Sequence, residues 1–121
     1  MQKELDLVKQ FHEKFQQPIL PSPALIPEDR SANRYKLMKD EVEEYIEGVK
    51  KNDLPNIAKE LCDILYAVYG TILEHGLQSK IDEIFEEVHN SNMSKNYHEY
   101  KMIKGEKYFK ADINKLFTNE H

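Results

Sequence analysis

Apolar residues recur at helical spacing in four stretches of the chain, separated by breaks rich in proline, asparagine and glycine. Leu5, Val8, Phe11 and Phe15 step by three and four, which predicts an amphipathic helix over residues 2 to about 16 whose stripe needs a partner. Pro18, Pro21, Pro23 and Pro27 then stop regular structure and predict an extended connector, a strap across the surface rather than a lid. Tyr35, Met38, Val42, Tyr45, Ile46 and Val49 mark the buried face of a second helix beginning near Pro27 or Ser31, with Glu28 and Asp29 suited to its N-terminus. Arg34, Leu37, Glu41 and Glu44 form the adjoining stripe, so acids border that face. Asp53 reads as the N-cap of a third helix, with Pro55 in its first turn, and Gly76 closes it after His75. Leu61, Ile64, Leu65, Val68, Ile72 and Leu73 make this helix apolar on more than one side, as expected at the centre of a domain or at a subunit interface. Ser79 followed by Asp82 and Glu83 resembles a capping signal for a fourth helix, with Ile81, Ile84, Phe85 and Val88 inward. A short last helix is expected around Asp112 to Phe117, and no stretch carries a strand pattern. The expected fold is all-α: a four-to-five-helix bundle in a single domain spanning 1–121, with a helical core over about 28–95 and an irregular basic C-terminal tail.

Composition narrows the function. At 121 residues the chain is small for an enzyme that buries its substrate alone, so a homo-oligomer is expected. A net charge of -5 argues against long nucleic acid as a partner but leaves room for a small anion carried with its own metal. The single Cys62 excludes an intramolecular disulfide, fits a reducing compartment, and reads as a small buried residue. The opening residues lack an apolar leader, and the uncharged run Ile64 to Leu73 falls short of the roughly 18 residues a membrane span needs, so a cytoplasmic protein with no membrane partner is expected.

The candidate chemistry lies in four carboxylates. Glu41 and Glu44 sit one helical turn apart, as do Glu60 and Asp63. Two helices joined by a short turn pack antiparallel, which lets the pairs face each other. Facing carboxylates repel and desolvate one another unless a cation compensates them, and a hard divalent ion, Mg²⁺ or Mn²⁺, suits an all-oxygen set. Glu41 and Glu44, with Glu43 and Glu47 beside them, also read as solvated surface. Glu60 and Asp63 do not, because Lys59 is the only other charge between Ile57 and Leu73. His12 lies near the apolar face of its helix and reads as a packing or surface residue. In the tail, Lys95, Lys101, Lys104, Lys107 and Lys110 alternate with Tyr97, Tyr100, Tyr108 and Phe109, a pattern that suits phosphate neutralisation or a solvated surface.

Asp40-Glu41-Val42-Glu43-Glu44, then fifteen residues, then Glu60-Leu61-Cys62-Asp63 resembles the ExxE…ExxD signature of the all-α nucleoside triphosphate pyrophosphohydrolases, which include the MazG-like, dimeric dUTPase-like and phosphoribosyl-ATP pyrophosphohydrolase-like proteins. The resemblance extends through Ile64-Leu65-Tyr66-Ala67-Val68-Tyr69-Gly70 to Ser91-Asn92-Met93-Ser94-Lys95 and on to Asp112. It implies Mg²⁺ held by Glu41, Glu44, Glu60 and Asp63, cleavage of a nucleotide between its α- and β-phosphates, and a homodimer or dimer of dimers. Asp40 or one of the four ligand acids, Glu41 first among them, is the expected acceptor of a water proton. Asn92, Lys95, Lys104, Lys107 and Tyr108 are candidates for phosphate or sugar, Arg34 is a further one, and Tyr66 suits equally a flank of the nucleoside and core packing. Asp40 stands where the family usually has Glu, and Ala111 where Pro is expected. A nucleoside triphosphate is the expected substrate and phosphoribosyl-ATP the rival. A helical dimer that binds metal or nucleotide without turnover, as a regulator or adaptor, is the alternative outside the class.

Overall fold

A computed structural model describes residues 1–118 and is helical. The helices are α1 (Gln2–Lys14), α2 (Glu28–Lys50), α3 (Leu54–Glu74), α4 (Ile81–Met93) and a short α5 (Lys115–Thr118). The chain falls into two compact units, Met1–Gln78 and the part from Ser79 onward.

In the first unit α3 packs against both α1 and α2. Asp53 caps α3 by accepting from the Asn56 N–H at 3.1 Å. At the other end Gly76 takes φ +68°, and a Cβ there would run into the Ser22 carbonyl. The proline-rich connector is a strap pinned to that end. Leu20 N–H donates to Leu73 O and Ala24 N–H to His75 O, each at 3.0 Å. The Gln78 side chain donates to Leu20 O at 2.8 Å.

The buried faces differ from the expected ones. On α1 the inward residues are Leu5, Val8 and His12, while Phe11 and Phe15 are partly exposed. On α2 the expected stripe is rotated outward: Tyr35, Val42, Ile46 and Val49 are exposed, and Arg34 and Gly48 are buried. Facing them on α3 are Glu60, Ala67, Gly70 and Glu74. The seam between α2 and α3 is thus built from small residues and charges, because small side chains let the helices approach where charged groups pair. Cys62, expected inside, is exposed.

The end of the seam near Glu74 is self-compensated. Glu74 is 1% exposed. It accepts two bonds from Arg30, at 3.0 and 2.9 Å, and pairs with Arg34 Nη1 at 3.2 Å. Arg34 also donates to Thr71 Oγ1 at 3.1 Å and to the Ala67 carbonyl at 2.8 Å. This crossing needs Gly70, since a Cβ there would press into the Arg34 guanidinium and lie 2.9 Å from His12 Nε2. Gly70→Ala is expected to cost about 1–3 kcal/mol by overpacking, read as an earlier urea midpoint at unchanged slope.

In the second unit α4 begins without the expected cap: its N-cap is Lys80, with no side-chain capping bond. Ser91 Oγ donates to Phe109 O at 2.8 Å, and Phe109 N–H donates to Ser94 Oγ at 3.0 Å, which folds the tail back along α4. An isolated antiparallel bridge joins Asn96 and Ile103, flanked in register by Lys95 and Lys104. Lys104 Nζ lies 5.2 Å from the Tyr108 ring centre. The last helix starts at Lys115, three residues later than expected.

Candidate functional site

At the opposite end of the α2–α3 seam the two acidic pairs converge. Glu41 and Glu44 from α2 and Glu60 and Asp63 from α3 each offer a carboxylate oxygen, all within 4.8 Å of one another. Helical spacing brings each pair onto one face, and the short turn around Asn52 brings the faces together.

The contrast with Glu74 decides what this group needs. Glu60 is 5% exposed and sits on the same helix, yet its nearest cation is Lys59 at 3.7 Å. That ammonium is engaged more closely by Asp63, at 2.7 Å. Among the described residues Lys59 is the one cation paired with any of the four acids. Glu41 Oε2 and Glu60 Oε2 are sealed from solvent with no hydrogen-bond partner among the described residues. A buried carboxylate oxygen without a donor costs several kcal/mol, which a divalent cation coordinated by hard oxygens would recover. The residues present fit such an ion, and the donor set suits Mg²⁺ or Mn²⁺ rather than a thiolate- or imidazole-seeking metal.

The proton affinities agree with the geometry. Glu41 is raised above the ordinary carboxylate range by burial first, then by the charges of Glu44 and Asp63. Glu60 is raised by burial and by Glu44, against the opposing pull of Lys59. Both acids hold protons to higher pH when folded than when unfolded. Their contribution to stability is therefore full below the ordinary value of 4.5 and is lost as pH rises through the raised values. A divalent ion competes with those protons. Mg²⁺ is expected to raise the melting temperature little near pH 4.5 and more toward neutrality, with about 2.7 kcal/mol at a concentration 100 times its Kd. A shift independent of pH would contradict this.

Beside the acids lies a cleft of about 460 Å³. Phe11, His12, Phe15 and Gln17 line it from α1 and the start of the strap, Asn33, Arg34, Leu37 and Glu41 from α2, and Asp63, Tyr66 and Ala67 from α3. Phe11 stacks obliquely on Phe15 at 4.7 Å and meets Tyr66 edge-on at 5.5 Å. The volume is that of a small-molecule site, and its aromatic wall stands next to two members of the acidic group.

Of the residues picked out in the sequence, Glu41, Glu44, Glu60 and Asp63 come together, and Tyr66 and Arg34 line the adjoining cleft. Arg34 does so from a buried position, with its bonds running to Thr71, Ala67 and Glu74. Asp40 is outside the converging group and bonds Lys36 at 2.7 Å. Asn92, Lys95, Lys104, Lys107 and Tyr108 belong to the second unit. Phe11, His12 and Phe15 of α1 also line the cleft, although the sequence reads the phenylalanines as an apolar stripe and His12 as a packing or surface residue; its one signal for a site is that stripe's need of a partner.

A family model for phosphoribosyl-ATP pyrophosphohydrolase matches residues 8–92, a span that includes all four converging acids and the cleft. No curated protein matches the chain.

Proposed function

The chain belongs to the phosphoribosyl-ATP pyrophosphohydrolase family, whose members hydrolyse phosphoanhydride bonds, and from that premise we propose that it cleaves a nucleoside triphosphate between the α- and β-phosphates to the monophosphate and pyrophosphate. The observation that carries the reading is the uncompensated acidic group opening onto an aromatic cleft. Glu41, Glu44, Glu60 and Asp63 would hold Mg²⁺, or Mn²⁺ in its place. Bound there, the ion would offset charge on the phosphate oxygens and lower the pKa of water.

The chain's own residues do the rest. Glu41 and Asp63 belong to both the acidic group and the cleft wall, so an ion that they help to hold would sit beside the pocket for the base. Glu41 is the proposed acceptor of the attacking water's proton, with Asp40 the second candidate. Phe11, Phe15 and Tyr66 offer stacking faces for the base and exclude water from it. Asn92, Lys95, Lys104, Lys107 and Tyr108 are proposed for phosphate or sugar on the resemblance of their segment alone.

A homodimer, alone or paired into a dimer of dimers, is part of the proposal. Tyr35, Val42 and Ile46 on α2 and Leu61 and Leu65 on α3 are all at least 44% exposed, more apolar helix face than a chain with four buried apolar residues among those described is expected to leave bare. Light scattering at twice the chain mass, or four times for the dimer of dimers, is the expected result, and the chain mass alone would contradict it.

Phosphoribosyl-ATP is a second reading of the substrate, favoured by the family match. Pyrophosphate release from a nucleotide panel that includes phosphoribosyl-ATP, with Mg²⁺, separates the two. Tight binding without release from any member would overturn both.

A further inference from the structure

His12 is 2% exposed and lines the cleft, and its ring Nδ1 lies 3.0 Å from the Pro18 carbonyl oxygen. A carbonyl only accepts, so Nδ1 carries a proton, and in the tautomer protonated there alone Nε2 is the accepting nitrogen. Among the described residues no hydrogen bond reaches Nε2, the ring's one hydrogen bond being that of Nδ1. Nor is it among the unpartnered polar atoms sealed from solvent, which among the described residues are Glu41 Oε2, Glu60 Oε2 and Gln78 Oε1. It is therefore open to the cleft.

Its neighbour is a donor. Arg34 Nη2 and His12 Nε2 both lie against the bare Cα of Gly70, so a fixed acceptor and a fixed N–H donor stand together at the base of an aromatic-walled pocket. Anchoring α1 to the strap uses only Nδ1. Open to the cleft, Nε2 is paired by water, and a ligand that supplies an N–H takes that water's place. The edge of a nucleobase presents an N–H beside an acceptor atom, and an aromatic wall holds its flat face.

We propose that His12 Nε2 is a specificity-determining acceptor, taking a hydrogen bond from an N–H on the edge of the substrate's base, either an exocyclic amino group or a ring N–H. This rests on the reading of the cleft as a nucleotide site. The Pro18 carbonyl fixes the tautomer, so the selectivity is set by the strap as well as by α1.

The test is calorimetric binding of nucleoside monophosphates to the full chain with Mg²⁺, in pairs that differ by one N–H. AMP and CMP are compared with their forms lacking the amino group, and UMP and GMP with their forms methylated at the ring N–H. Wild-type protein is expected to prefer the N–H-bearing member of at least one pair by about 10- to 100-fold, and the pair identifies which kind of N–H is read. His12→Asn, whose amide still reaches Pro18 as a donor, is expected to bind both members of that pair within about 3-fold. Equal binding within every pair by the wild-type chain overturns the proposal, as does a preference that survives in His12→Asn. The wild-type comparison stands even if the variant fails to fold. Turnover without base preference would sink the acceptor alone. Base preference without pyrophosphate release would sink the proposed reaction alone.

Discussion

Glu60→Gln is expected to lower pyrophosphate release by about 100- to 1,000-fold while making the metal-free protein more heat-resistant than wild type. The two effects share a cause. Glu60 is the most deeply buried of the four acids, one of its oxygens lacks any partner, and burial and Glu44 both push it toward its protonated form. Glutamine keeps the shape and removes the charge, so the apo fold loses a repulsive, desolvated group. What it also loses is a ligand for the ion, and several kcal/mol of charge stabilisation in the transition state correspond to the stated loss of rate. A residue that merely supported the fold would behave oppositely, with activity falling in step with stability. The decisive combination is a higher melting temperature in EDTA together with a lost response to Mg²⁺. A variant less stable than wild type in EDTA would contradict the account.

At the other end of the same seam the sign reverses. Glu74→Ala is expected to destabilise the fold by about 3–5 kcal/mol, because Arg34 would be left as a buried charge without its counter-ion. Arg30 is 30% exposed along its side chain and can turn toward water, but Arg34 is 7% exposed and held by Thr71 and Ala67. The cost therefore arises at Arg34. Replacing both partners, as in Arg34→Met with Glu74→Leu, is expected to recover most of the loss, since a buried pair exchanged for apolar groups of similar volume is often neutral. Urea titration of the single and double variants checks this. A single variant within about 1 kcal/mol of wild type would show that the pair contributes little.

Much of this could be read from the residues. Period and breakers placed α1, α2 and α3 to within a few residues, and Asp53 caps α3 as expected. The two acidic pairs were legible because a turn's spacing on each of two antiparallel helices leaves few other arrangements. The orientation of α2 was not. Its apolar stripe of Tyr35, Val42 and Ile46 reads as core, yet Arg34 and Gly48 face α3 instead. The seam is chosen by charge pairing across Gly70 and Ala67, a long-range match between residues that periodicity on one helix cannot reveal. His12 escaped for a related reason. A lone histidine near an apolar face gains meaning only when the Pro18 carbonyl and the cleft are both located beside it.

The α2–α3 seam lacks one cation at one end and supplies its own at the other. A calorimetric titration of Mn²⁺ into the metal-free chain at neutral pH tests that most directly. Saturable binding by wild-type protein, weakened at least about 10-fold in Glu60→Gln and unchanged in a variant at exposed Glu99, is the predicted result. Binding that is absent, or that Glu60→Gln leaves as it was, would contradict the claim.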